Sequence, residues 1–143
     1  MLVNESNLKY KLEDVYILST GVFYFFEEFI VSEINEGVHF NWETAQEVIE
    51  LALNHYGRDA KISYISNRVY SYSIEAQDWL KFFKSRHNLR TFAVVTYSKS
   101  GLINVMMEKI FFKSRIKTFE NLHDAADWVA QYHPTVRTNT MVL

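Results

Sequence analysis

Seven consecutive residues, Asn67-Arg68-Val69-Tyr70-Ser71-Tyr72-Ser73, form the densest group of chemically useful side chains in this sequence. Asn67, Arg68, Tyr70, Ser71 and Ser73 all hydrogen-bond, and Arg68 carries a charge that pairs with carboxylate or phosphate. The run before them, Ala60 to Ser66, reads as a strand, and Ile74 to about Lys84 reads as a helix. Open α/β sheets place ligand sites outside the carboxyl ends of parallel strands. A helix N-terminus at that point attracts anions, including a phosphate on a capping serine, here Ser73. The alternative is local: Ser73 caps the helix, while Tyr70 and Tyr72 pack at the sheet edge.

The remaining candidates are sparser. Glu36 and His39 fall near a strand-to-helix turn, as a lone acid/base pair or as neighbours in a local hydrogen bond. Glu27, Glu28, Glu33 and Glu36 resemble paired hydrolytic carboxylates, but residues 33 and 36 of a strand point to opposite faces, so a solvated acidic edge is expected. The five histidines form no metal-binding pair, and the chain has no cysteine, which excludes disulfides, thiol catalysis and Fe–S clusters. No phosphate-cradling glycine loop and no nucleophile elbow is found. Tyr97 near Lys99, and Phe82 between Lys81 and Lys84, suggest stacking on nucleic acid. No motif of a nucleic-acid-binding fold accompanies them, and core packing is the expected role. The residues therefore point to a protein that is not an enzyme and needs no cofactor or metal.

Charge is unevenly spread. Residues 1–78 carry 5 Lys/Arg against 13 Asp/Glu, whereas residues 79–118 carry 9 against the single Glu108. Two solvated faces account for this, as do a self-complementary surface or an anionic partner. The N-terminus shows no signal-peptide pattern, and no apolar run approaches the roughly 18 residues of a membrane span. A cytoplasmic location is expected.

The elements that must position these groups follow from periodicity. Lys9–Leu12 and Val15–Leu18 are weak strand candidates. Val22–Phe26 and Phe29–Ile34 are strong ones, joined by Glu27-Glu28. Neither glutamate favours positive φ, so the loop is expected to be longer than two residues. Asn41 caps a helix with the stripe Trp42, Ala45, Val48, Ile49, Ala52, Leu53 and Tyr56, ended by Gly57. Thr91–Tyr97 is apolar on both faces, as in a central parallel strand. A helix starting at Ser98 to Gly101 carries Leu102, Ile103, Val105, Met106, Met107, Ile110 and Phe111. Ile116–Phe119 suits a sheet edge, and Asn121 caps a last helix that Pro134 ends. The predicted order, a β-hairpin followed by α-β-α-β-α-β-α, gives a single α/β domain over 8–133 with a mixed, mainly parallel sheet, four helices, and terminal tails at 1–7 and 134–143.

This order resembles the SpoIIAA-like fold of STAS domains and the related SEC14/CRAL-TRIO-like set, and the small uncharacterised bacterial STAS/SEC14-type proteins. The matching text is Phe29–Gly37 through Asn41-Trp42, then Ile65–Arg68, and Ser73-Ile74 with Asp78-Trp79-Leu80. In anti-sigma-factor antagonists of this fold a strand leads into an Asp-Ser-Ser-Gly-like turn, whose serine is phosphorylated by a partner kinase. The corresponding turn here, 67–73, lacks both the Asp-Ser pair and the glycine, leaving Ser71 and Ser73 as hydroxyl candidates. Ser98-Lys99-Ser100-Gly101-Leu102 copies the letters but follows a different strand. The resemblance also implies helices mainly on one side of the sheet, with the other face partly open as a dimer surface. Phe23, Tyr24, Phe25 and Phe29 are available to cover that face.

The resemblance thus implies a regulatory or protein-interaction module, homodimeric or bound to another protein, with Asn67, Arg68, Tyr70, Ser71 and Ser73 as binding or switch residues for an anion or a phosphoserine. Its alternative is a SEC14-like carrier of a lipid or small apolar ligand, with Met106, Met107, Phe111 and Phe112 lining the pocket.

Overall fold

In the computed structural model, which describes residues 1–132, six strands form one sheet in the order β1-β2-β3-β5-β7-β8. Strands β1 (Leu12–Leu18), β2 (Gly21–Phe26) and β3 (Phe29–Ile34) are antiparallel. Strands β5 (Ile62–Arg68), β7 (Leu89–Thr96) and β8 (Ile116–Phe119) continue from β3 in parallel. This is the expected mixed, mainly parallel α/β sheet. Of the two weak N-terminal strand candidates, Val15–Leu18 lies within β1, whereas only Leu12 of Lys9–Leu12 does, and the register is irregular between Leu12 and Asp14. The last registered pair of the hairpin is Phe25 with Ile30, and neither Glu27 nor Glu28 takes positive φ. The loop is therefore longer than its two glutamates, as their conformational preference requires.

Strand alternation sorts the side chains. Phe23, Phe25, Ile30, Ile34, Tyr64 and Phe92 point to one face, where α2 (Trp42–Tyr56), α3 (Trp79–Lys84) and α4 (Lys99–Phe111) lie. Tyr24, Phe29, Val31, Ile65, Ala93 and Val95 point to the other, against α5 (Leu122–Ala130) and the short α1 (Val3–Ser6). Helices lie on both sides of the sheet, not mainly on one, but the α5-side face is open over β1, where Val15 and Ile17 are exposed. Residues 1–7 are likewise not a tail: Val3 and Ser6 are buried with the α5-side core. The expected tail at 134–143 and the Pro134 stop lie outside the described residues.

The capping expectations hold where a polar residue precedes an amphipathic run. Asn41 Oδ1 accepts from the Thr44 N–H at 3.0 Å, Ser98 Oγ from the Gly101 N–H at 3.1 Å, and Asn121 Oδ1 from the Asp124 N–H at 2.8 Å. Ser73 does not cap. It pairs with His39 in a two-stranded parallel ladder of β4 (His39–Phe40) and β6 (Ser73–Ile74), and the chain reaches α3 through a 3-10 turn at Ala76–Asp78. The ladder is closed by the Ser73 N–H on the Val38 carbonyl and the Glu75 N–H on the Phe40 carbonyl. Such a pairing between residues 34 positions apart leaves no local signature. Among the described residues no helix is long and apolar enough to cross a membrane.

Candidate functional site

Strand β5 presents Tyr64, Ser66 and Arg68 toward the helices α2–α4, and Arg68 is buried there. Its Nη1 lies 2.7 Å from Oε2 of Glu108, a fully buried residue of α4. The two groups form a buried, charge-assisted contact. Arg68 Nε donates to Ser66 Oγ at 3.0 Å, and Trp79 Nε1 donates to Glu108 Oε1 at 3.0 Å. The Tyr72 hydroxyl shares a 3.0 Å hydrogen bond with Ser66, and the Tyr72 ring lies 5.9 Å from the guanidinium. Burial opposes charging of Arg68, but Tyr72 and Glu108 more than offset it, so the guanidinium is held even more firmly charged than usual. Burial pushes the Tyr64 and Tyr72 phenols up, so both are neutral.

This polar group floors a cavity. A pocket of about 80 Å³ lies over Arg68, Glu108, Tyr72 and Tyr64. Beside it, sharing Phe40, Ala45, Ile49, Tyr64, Trp79 and Phe82, is a chamber of about 330 Å³ beneath α2. The chamber walls are apolar, from Phe23, Ile30, Val48 and Ala52, and its far rim is polar, from Arg58, Asp59, Lys61 and Arg86. Helix α2 is amphipathic, yet none of its residues is fully buried. Val48, Leu51, Ala52 and Tyr56 pack against the cluster of Phe23, Phe25, Ile30 and Ile34, and much of the same stripe also lines the chamber. Three polar contacts hold it there. Asp78 Oδ2 accepts from the Trp42 N–H at 2.7 Å, the Tyr56 hydroxyl donates to the Phe26 carbonyl at 2.5 Å, and His55 Nε2 meets Glu13 at 2.8 Å.

The seven-residue junction is divided between unlike places. Asn67 points to the opposite face of the sheet, where its Nδ2 donates to Glu33 Oε2 at 2.9 Å and to the Met1 carbonyl, while its Oδ1 accepts from Tyr97. Glu33 is thus not part of a solvated acidic edge. It is buried and accepts the Val3 N–H at 2.7 Å, and burial raises its pKa above the usual carboxylate range against the pull of these donors. Arg68 belongs to the cavity floor. Tyr70 and Ser71 are exposed, and the Ser71 N–H donates to Glu36. Ser73 Oγ bonds His39 Nδ1 at 2.7 Å, and His39 Nε2 lies 3.6 Å from Glu75. Glu36 and His39 therefore serve different partners and do not form an acid/base pair.

The pocket expected around Met106, Met107, Phe111 and Phe112 is also displaced. Met106 and Met107 are exposed, Phe112 is buried in the core, and neither cavity includes any of the four. Glu108 is the residue that sequence reasoning missed. A lone acid in a basic segment was the available signal, but its partner, Arg68, lies 40 positions away. Phe82 packs on Trp79, Phe83 and His87 rather than presenting a stacking surface. Among the described residues no three His, Asp or Glu side chains stand together as a metal site would require.

No protein-family model and no curated protein matches this sequence. Among solved structures, it is similar to an uncharacterised protein of the DUF3478 family from Shewanella loihica PV-4, described as having a SpoIIAA-like fold. The two share 15% identity over 87% of this chain and 97% of the other, with a TM-score of 0.53. The sheet order, the helices and this similarity together assign the chain a SpoIIAA-like fold.

Proposed function

We propose that this chain is a non-enzymatic binding module that takes a small, largely apolar ligand beneath α2. The observation that carries the reading is the chamber of about 330 Å³ under α2, a helix none of whose residues is fully buried. Its size is at the lower end of the range for small-molecule sites, and apolar walls with a few convergent polar groups are their usual composition. Arg68 and Glu108 line the pocket as a buried ion pair, with Nη1 and Oε2 2.7 Å apart, and give its floor a polar character. They suit the polar end of an amphipathic ligand better than a wholly hydrocarbon one.

Titration with anilinonaphthalene sulfonate, a fluorescent apolar probe with a polar end, tests this reading. Saturable binding at one site is expected, with its loss in Ala45→Trp and in Ala52→Phe, both of which fill the chamber from α2. Equal binding by the wild type and both filled variants, each folded by circular dichroism, would count against the cavity.

A second reading has its own observation. Ser71 is exposed, and its N–H is held by the Glu36 carboxylate at 2.9 Å, next to the Gly37 N–H on the Ser71 carbonyl. A phosphate on Ser71 would repel Glu36 and loosen the β4–β6 ladder at the cavity wall. This supports a regulatory module that contacts another protein or a second copy, switched at Ser71 rather than at the ladder-bound Ser73. Native mass spectrometry of protein from its own host would show a phosphate increment mapping to Ser71. A bare mass under all growth conditions would count against the switch.

A further inference from the structure

Helix α4 leaves most of its apolar residues on the outside. Leu102, Ile103, Met106, Met107 and Ile110 are 45–68% exposed, while Val105 and Glu108 face the core. Val105 and Glu108 share the inner face, where Glu108 meets the buried guanidinium of Arg68, and at 100° per residue positions 102, 103, 106, 107 and 110 then fall together on the outer side. The result is a convex apolar stripe about 12 Å long.

The charge around the stripe is of one sign. Lys99, Lys109, Lys113 and Arg115 are exposed, and none of them is in an ion pair among the described residues. The one acid of the segment, Glu108, is already used by Arg68. A two-fold pairing of α4 with a second copy would bring these cations together with no carboxylate between them, which is unfavourable. The exposed stripe also contains no aromatic residue, the usual anchor at the centre of a protein interface. An acidic lipid surface requires no such anchor. It accepts flexible apolar side chains at the acyl boundary, and lysines whose stems run along the apolar surface to the headgroups.

We infer that α4 is a docking surface for an anionic membrane, with Leu102, Ile103, Met106, Met107 and Ile110 entering the interface and Lys99, Lys109 and Lys113 meeting the headgroups. This rests on the outer face of α4 and not on the chamber under α2, so either reading can fail alone.

Co-sedimentation of the full chain with vesicles tests it. One set is phosphatidylcholine and the other contains roughly one-third phosphatidylserine, an anionic lipid. Binding is expected to the anionic set only, weakening as salt rises, with a loss of about fivefold for each of Lys109→Gln and Lys113→Gln. Met106→Ser combined with Ile110→Ser should abolish it. These positions are exposed, so an unchanged melting curve separates lost docking from lost folding. Ala45→Trp should bind vesicles as the wild type does, which distinguishes docking from capture of a lipid in the chamber. Absence of binding to the anionic set overturns the inference, as does undiminished binding by the serine variant. A dimer that the serine substitutions dissociate, without vesicle binding, overturns it in favour of a second copy.

Discussion

Removing one partner of the Arg68–Glu108 pair tests how the helix-side interior is built. Both side chains are at most 6% exposed, with Nη1 and Oε2 2.7 Å apart. Glu108→Ala leaves a guanidinium that cannot shed its proton buried beside an apolar cavity, and also deprives Trp79 Nε1 of its acceptor. Breaking a buried pair in this way costs about 3–5 kcal/mol. A domain of this size has only about 5–15 kcal/mol in total, so the variant should be folded but fragile. With a urea dependence of about 2 kcal/mol per molar, the unfolding midpoint should fall by about 2 M. The double variant Arg68→Met, Glu108→Leu removes both charges and keeps the volume. Such replacements are neutral or stabilising by about 1–4 kcal/mol, so it should recover most of the loss. Urea unfolding followed by tryptophan fluorescence measures all three proteins. A loss below about 1 kcal/mol for Glu108→Ala would refute the reasoning, because that is the range of exposed pairs. It would mean that water in the cavity already solvates Arg68.

Further perturbations separate the other parts of the argument. Gly21→Ala places a Cβ inside contact distance of the Glu33 carbonyl and the Ile34 Cα, both backbone, so a loss of about 1–3 kcal/mol is expected in thermal melts. Asn41→Ala removes the cap of α2 and should cost about 1 kcal/mol, seen as faster amide exchange in the first turn of that helix. Glu33 gives a pH signature. Its folded pKa is raised, so its contribution to stability is complete below the unfolded carboxylate pKa and is lost as pH rises through the folded one. Wild-type stability should therefore carry a component that declines from acid toward neutral pH, and Glu33→Gln should lack it. Identical pH profiles for the two proteins would contradict the assigned titration.

Local pattern was enough for most elements. The apolar run 91–97, the caps Asn41 and Asn121, and the α2 stripe each depend on neighbours within a few residues, so their helices and strands were legible in the sequence. So was the awkward Glu27-Glu28 turn, because a residue's φ preference is local. The SpoIIAA-like order followed from these elements taken in turn.

What tertiary structure alone decided were the pairings across long separations. Arg68 meets Glu108, Asn67 meets Glu33, and His39 meets Ser73, each pair more than 30 positions apart. Periodicity identifies an amphipathic face but not what that face meets. The stripe of α2 looked like core and lines a chamber. Much of the apolar surface of α4 faces outward, while Val105, Glu108 and the following Phe112 face the core. Whether an apolar face is buried depends on the surface opposite it, and that surface exists only once the chain has folded.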